Sequence, residues 1–184
     1  MAILSDEQIW GLIRSGRIKL DPAPLSDAVT TSAIDLRLGN EFKVPRAQAQ
    51  AAGLWIDTRE STAVMDAIAA NYEVRNVANG SYFEMEPGMF ALGWTLEQVT
   101  LPSYLSARVE GRSTLARVGL SIHQSAPTVH ANFNNKLQLE LTNASPHTLR
   151  LYPGQSICQL ILETLSMPSI TRLTTIHTLP GAGA

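Results

Sequence analysis

Residues 136 to 142 read Lys136-Leu137-Gln138-Leu139-Glu140-Leu141-Thr142, with a leucine at every second position. A period of two places the three leucines on one face of an extended strand and Lys136, Gln138, Glu140 and Thr142 on the other. The alternation recurs at Ile34-Asp35-Leu36-Arg37-Leu38, from Phe90 to Val99 and from Ile157 to Leu162. Turn signals at Gly39-Asn40, Asn79-Gly80, Pro87-Gly88, Asn134-Asn135 and Pro153-Gly154 punctuate these runs. Many short strands at close spacing predict a mainly β chain, a barrel or sandwich rather than a parallel α/β sheet.

Two segments read as helix. Ser5 and Gln8 form a capping-box pair, Asp6 and Glu7 sit near the positive helix end, and Ile9, Leu12 and Ile13 share a face that Gly16 can terminate. One further helix is predicted from about Glu60 to Asn71, with Val64, Met65 and Ile68 on one side. At 184 residues the chain suits a single domain, read as residues 1–174, followed by a flexible tail over 175–184 that ends Pro180-Gly181-Ala182-Gly183-Ala184.

The net charge of −2 argues against a nucleic-acid partner, which needs a basic excess to neutralise phosphate. A single cysteine, Cys158, lies in the apolar run Ser156-Ile157-Cys158-Gln159-Leu160, so it reads as a buried, inert thiol in a reducing compartment. No apolar run approaches a membrane span, and the N-terminus lacks signal-peptide character, so a cytoplasmic location is expected.

Residues 111–117, Gly-Arg-Ser-Thr-Leu-Ala-Arg, pack two arginines and two hydroxyls behind a glycine. Arg112 and Arg117 offer planar donor forks that suit phosphate, and Ser113 and Thr114 add short hydroxyl donors. A solvated surface turn would look similar. Glu140 could supply acid–base chemistry beside a bound anion, although the wet face of an amphipathic strand would present the same pattern. Asp35 reads as a structural hydrogen-bonding residue. Zinc-dependent nucleobase deamination needs a His/Cys ligand beside a glutamate and a Pro-Cys-x-x-Cys pair, which one cysteine and four scattered histidines cannot build. Any deamination by this chain is therefore expected to be zinc-free.

Taken in order, Glu110-Gly111-Arg112-Ser113-Thr114-Leu115-Ala116-Arg117-Val118-Gly119-Leu120, Leu139-Glu140-Leu141 and Tyr152-Pro153-Gly154-Gln155 with Gln159 resemble the dCTP deaminases, within the superfamily they share with trimeric dUTPases. Ser32 to Leu38 and Thr95-Leu96-Glu97 extend the resemblance over most of the chain. It implies a distorted, jelly-roll-like β-barrel of the dUTPase fold and a homotrimer with sites between subunits. It also implies a pyrimidine nucleotide ligand carrying Mg²⁺ on its phosphates.

By the same resemblance Arg112, Ser113 and Thr114 serve the phosphates and the reacting centre. Arg117, Ser113 and the carbonyl of Ala126 hold the attacking water, and Glu140 is general base and acid. Gln138 and Gln159 complete the expected substrate-binding set with His130 and Phe133. Where the family usually reads Ile-Asp-Pro-Gly-Phe/Trp, this chain has Val129-His130-Ala131-Asn132-Phe133. Phe133 keeps an aromatic for the sugar, while His130 replaces an acceptor carboxylate. The family's C-terminal lid motif has no counterpart after Arg172. The leading expectation is hydrolytic deamination of dCTP or a related pyrimidine nucleotide. A dUTPase-like diphosphohydrolase and a catalytically silent nucleotide binder remain open alternatives.

Overall fold

The structure is a computed structural model that describes residues 2–47 and 55–171. The expected flexible tail over 175–184 lies outside the described residues. The chain opens with α1 (Asp6–Arg14), whose capping box forms as Ser5 N–H donates to Gln8 Oε1 at 3.0 Å. Gly16 ends that segment with φ of 68°, a left-handed conformation that costs glycine little. α2 (Ser61–Asn71) lies where the second helix was predicted, and its Val64, Met65 and Ile68 face is only half-buried.

The strands follow in chain order: β1 (Lys19–Asp21), β2 (Ile34–Pro45), β3 (Tyr72–Asn76), β4 (Phe83–Met85), β5 (Phe90–Thr100) and β6 (Leu105–Gly111). After the short helix α3 (Ser113–Ala116) come β7 (Leu120–Ser121), β8 (Thr128–Val129), β9 (Asn134–Asn143), β10 (Leu149–Leu151) and β11 (Ser156–Thr164). One nine-stranded antiparallel sheet runs in the order β7-β9-β5-β2-β11-β6-β8, with β1 added to β5 and β3 to β2. β10 and β4 form a separate pair, tied to the main sheet where Phe83 stacks on Phe42 at 4.1 Å between ring centroids. The mainly β expectation is met, but among the described residues α3 is a helix beyond the two that the sequence predicts.

The runs at 34–38 and 137–141 bury one face as predicted, whereas β5, in the middle of the sheet, is buried on both faces over residues 91–95. Leu137, Leu139 and Leu141 are buried, as are Ile34, Leu36 and Leu38, and Ile157, Leu160 and Leu162 join the same core. Two predicted turns are corrected. Gly39-Asn40 lies inside β2, at a corner where the strand leaves β11 and pairs with β5 and β3. A Cβ on Gly39 would sit 3.0 Å from the Trp94 carbonyl oxygen, so glycine serves close backbone approach at an irregular register rather than a turn. Asn134-Asn135 opens β9, and the left-handed residue is Asn132, with φ of 66°.

A second irregularity interrupts the β5–β9 ladder between Trp94 and Gln98. Buried Thr95 bridges it, its hydroxyl donating to the Glu97 carbonyl at 2.7 Å and accepting from Leu137 N–H at 2.9 Å. The bulge carries the buried Glu97 carboxylate to Arg37 on β2.

Candidate active site

Strand β11 lies between β2 and β6, and its register sets Gln159 opposite both Asp35 and Glu110. Gln159 Nε2 donates to Asp35 Oδ1 at 2.9 Å, and Arg112 Nη1 meets Asp35 Oδ2 at 2.8 Å. Asp35 therefore orients Arg112, a residue at the exit of β6, through one oxygen while Gln159 holds the other. Two residues along β2, Arg37 donates from its backbone N–H to Glu97 Oε2 at 2.8 Å and from Nε to Oε1 at 2.6 Å. Asp35, Arg37, Glu97, Arg112 and Ser156 line one cleft of about 310 Å³ together with Leu25, Asp27 and Ala28. Cys158 is fully buried behind it. Burial pushes its thiol well above the usual cysteine range, and the Glu97 and Asp35 carboxylates push the same way against the opposing Arg112.

Beyond Arg112 the backbone winds through α3. Ala116 N–H donates to Arg112 O at 2.9 Å and Arg117 N–H to Ser113 O at 3.1 Å. Ser113, Thr114 and Arg117 are exposed on this turn. Gly119 closes it with φ of 84°, and Ala144 N–H donates to Gly119 O at 2.8 Å, stitching the segment to the end of β9. A Cβ on Gly119 would lie 2.8 Å from the Ser145 backbone nitrogen. Gly119→Ala is therefore expected to destabilise the protein by about 2 kcal/mol, combining left-handed strain with a backbone clash. A drop in the urea unfolding midpoint at unchanged protein concentration checks this.

The chain then delivers β7 to β9, with Ser121 opposite Thr142, and the following loop reaches Glu140. Gln124 N–H donates to Glu140 Oε2 at 3.1 Å, and Gln124 Nε2 donates to Thr142 Oγ1 at 2.6 Å. Glu140 is half-buried, on the face opposite the core leucines. Its other carboxylate oxygen accepts no hydrogen bond from the described residues.

The remaining expected site residues are spread along this rim. Ala126 is exposed on the loop before β8, Gln138 is exposed two positions before Glu140, and His130 is exposed after β8. Phe133 is half-buried against the core, and its carbonyl accepts from Leu101 N–H at 2.9 Å. Among the described residues of one chain, no ion pair or hydrogen bond joins Arg117 or Arg112 to Glu140. The structure thus forms two separate clusters, Arg112 with Asp35 and Gln159, and Glu140 with Gln124.

Sequence reasoning had given Asp35 a structural hydrogen-bonding role, and it missed Arg37 and Glu97 as walls of the cleft. The signal available was weak: acid and base on alternate positions 35 and 37 of one strand. The Gln124 amide left no signal, because a backbone donor is independent of residue type.

A model of the dCTP deaminase-like family matches residues 3–165. The chain belongs to that family. It is 38% identical over 169 residues to the dUMP-forming dCTP deaminase of Methanobrevibacter smithii, covering 92% of this chain and 84% of that protein. It is 35% identical over 172 residues to the dCTP deaminase of Rhodospirillum rubrum, covering 90% and 84%. The fold matches the crystal structure of the 2′-deoxycytidine 5′-triphosphate deaminase of Agrobacterium tumefaciens with a TM-score of 0.67 at 20% identity. That match covers 88% of this chain and 47% of the Agrobacterium chain, so this chain spans about half its length. Among the described residues, no helix is long and apolar enough to cross a membrane.

Proposed function

We propose that this protein hydrolytically deaminates a cytosine nucleotide, dCTP or a close analogue, to the uracil nucleotide and ammonia, with Glu140 as general base and then general acid. The observation that carries this reading is the setting of Glu140. One of its oxygens is fixed by the Gln124 amide while the other is left to act on a ligand, on a strand tied by β7 to the Arg112–Arg117 segment. The named activities of the Methanobrevibacter and Rhodospirillum relatives support it.

In the proposed reaction, water adds to C4 of the pyrimidine as Glu140 takes its proton. Glu140 passes that proton to N3 as the N3=C4 double bond opens, then takes the second proton from the C4 hydroxyl and gives it to the amine; the C4–N4 bond breaks, the C4 carbonyl forms and ammonia leaves. Ser113, the Ala126 carbonyl and Arg117 would position the water, and Arg117 is proposed to reach it from a neighbouring copy; among the described residues of one chain it makes no ion pair with Glu140. The proposed assembly is a homotrimer with intersubunit sites, which this division of labour favours.

Arg112, held by Asp35, would take phosphate oxygens together with Ser113 and Thr114, while Gln159 braces Asp35. His130, Phe133 and Gln138 would contact sugar and base. Among the described residues, no group of three His, Cys, Asp or Glu side chains is placed to hold a metal. With both Asp35 oxygens engaged, Mg²⁺ would enter with the triphosphate, and the chemistry at C4 is proposed to proceed without zinc.

A second reading, favoured by the dUMP-forming name of the Methanobrevibacter relative, has the same site also cleave the nucleotide to its monophosphate and pyrophosphate. Incubation with dCTP, CTP, dCMP and 5-substituted analogues, following ammonia and pyrophosphate separately, distinguishes the two. Ammonia without pyrophosphate supports the first reading, and both products support the second. Thermal stabilisation by nucleotide with neither product overturns both in favour of a silent binder.

A further inference from the structure

We propose that the cleft between α1 and the start of β6 is a second binding site, for a small organic anion with an apolar body. The cleft measures about 290 Å³, near the lower end of the range that small-molecule sites occupy. Leu4, Leu12 and Leu105 supply apolar walls, while Gln8, Arg17 and Tyr104 bring polar groups to the same space. Leu4 and Leu105 are buried, and Leu4 N–H is fixed to the Leu162 carbonyl at 3.1 Å, so the floor is rigid.

The polar groups share one chemical character. The Tyr104 hydroxyl is buried and has no hydrogen-bond partner among the described residues. The Arg17 guanidinium is exposed and forms no ion pair among those residues. Gln8 spends its carbonyl oxygen accepting from Ser5 N–H, which turns its amide end into a donor for anything else. Gln8 and Arg17 bring two donors to the open side of an apolar wall, and the unpartnered Tyr104 hydroxyl, closed off from solvent, is a third that a small side-chain shift would turn to a ligand; such a set calls for acceptors, and Arg17 makes a negative charge the fitting one. Water in the cleft would satisfy Gln8 and Arg17 but leave the leucine walls wet and the Tyr104 hydroxyl unreached.

This place is distinct from the nucleotide site. Leu105 begins β6 and Gly111 ends it, so about 20 Å of strand, at roughly 3.3 Å per residue, separates the cleft from Arg112.

The test is a titration of the full-length ¹⁵N-labelled protein with sodium benzoate, with phenyl phosphate and with the neutral analogue benzyl alcohol. The expected result is saturable movement of the Leu12, Leu105 and Thr164 amide signals with at least one anion. Binding should be about tenfold weaker for benzyl alcohol and in Arg17→Met, the loss of one charge-assisted contact. Tyr104→Phe should weaken it severalfold without lowering the unfolding midpoint, because a buried hydroxyl lacking a partner contributes nothing to the unliganded fold. The relative strength of the two anions separates a carboxylate ligand from a phosphate one. Absence of saturation by either anion, equal binding of benzyl alcohol, or full binding by Arg17→Met overturns the proposal. Signal movement that follows protein concentration instead of anion concentration also overturns it, and assigns the cleft to a contact between copies.

Discussion

Glu140→Gln is expected to fold normally, to bind dCTP as before and to lose three to four powers of ten in deamination rate, at the upper end of what one general acid–base group contributes. The amide is nearly isosteric with the carboxylate, and its Oε1 can still accept from Gln124 N–H, so the local contact at 3.1 Å survives. A neutral amide cannot take the proton that water must lose as the C4–O bond forms. Nor can it hand a proton to the departing amine.

Because both transfers pass through one group in the proposed reaction, the loss falls on kcat, while KM follows the untouched phosphate contacts of Arg112. A single-turnover assay of ammonia release, paired with thermal stabilisation by dCTP, checks both halves. Glu140→Gln retaining more than about a tenth of the activity would remove Glu140 from the chemistry, since general acid–base groups contribute at least a hundredfold.

The strand that carries Glu140 is legible in the sequence, because burying one face of a strand leaves a period of two in the residues. Leu137, Leu139 and Leu141 are buried and Glu140 stands on the other face, as the alternation requires. The errors have equally definite causes. Gly39-Asn40 carries a turn signature, yet glycine there answers the Trp94 carbonyl of another strand, a contact with no local trace. A helix of four residues such as α3 is too short for any periodicity to show.

The Asp35–Gln159 bond joins residues 124 positions apart, and only the register of β2 against β11 brings them together. Asp35 was correctly read as a hydrogen-bonding residue, but its partner on the far strand was invisible. By the resemblance Arg117 and Glu140 are expected to act on the same water. Within one chain Glu140 accepts from a backbone amide, and Arg117 stays exposed on its own turn.

The largest effect on stability is expected at Glu97, where Glu97→Leu should lower unfolding free energy by about 3–5 kcal/mol, the usual result of removing one partner from a buried ion pair. The carboxylate is 2% exposed and its partner Arg37 18% exposed, so solvent compensates neither charge well. Leucine strands the Arg37 guanidinium and also orphans the Arg37 backbone N–H that Oε2 accepted at 2.8 Å. Glu97→Gln is not a mild change either. One amide end can replace one oxygen, but the other would turn a donor toward Arg37 Nε, itself a donor now 2.6 Å from Oε1.

The double variant Arg37→Leu/Glu97→Leu separates the contributions. It removes the unpaired charge, so it should recover part of the loss, but the backbone N–H still lacks an acceptor and holds back about 1–3 kcal/mol. Urea unfolding of the four proteins at one fixed protomer concentration measures the cycle. Additive losses in the double variant would mean that the pair is solvated and that the cleft wall is looser than its geometry implies. Recovery in the double variant would make the pair a strut for the cleft. Nucleotide affinity should then fall in Glu97→Leu, because Arg37 and Arg112 share one wall and a stranded guanidinium at Arg37 would compete for the Asp35 carboxylate that orients Arg112.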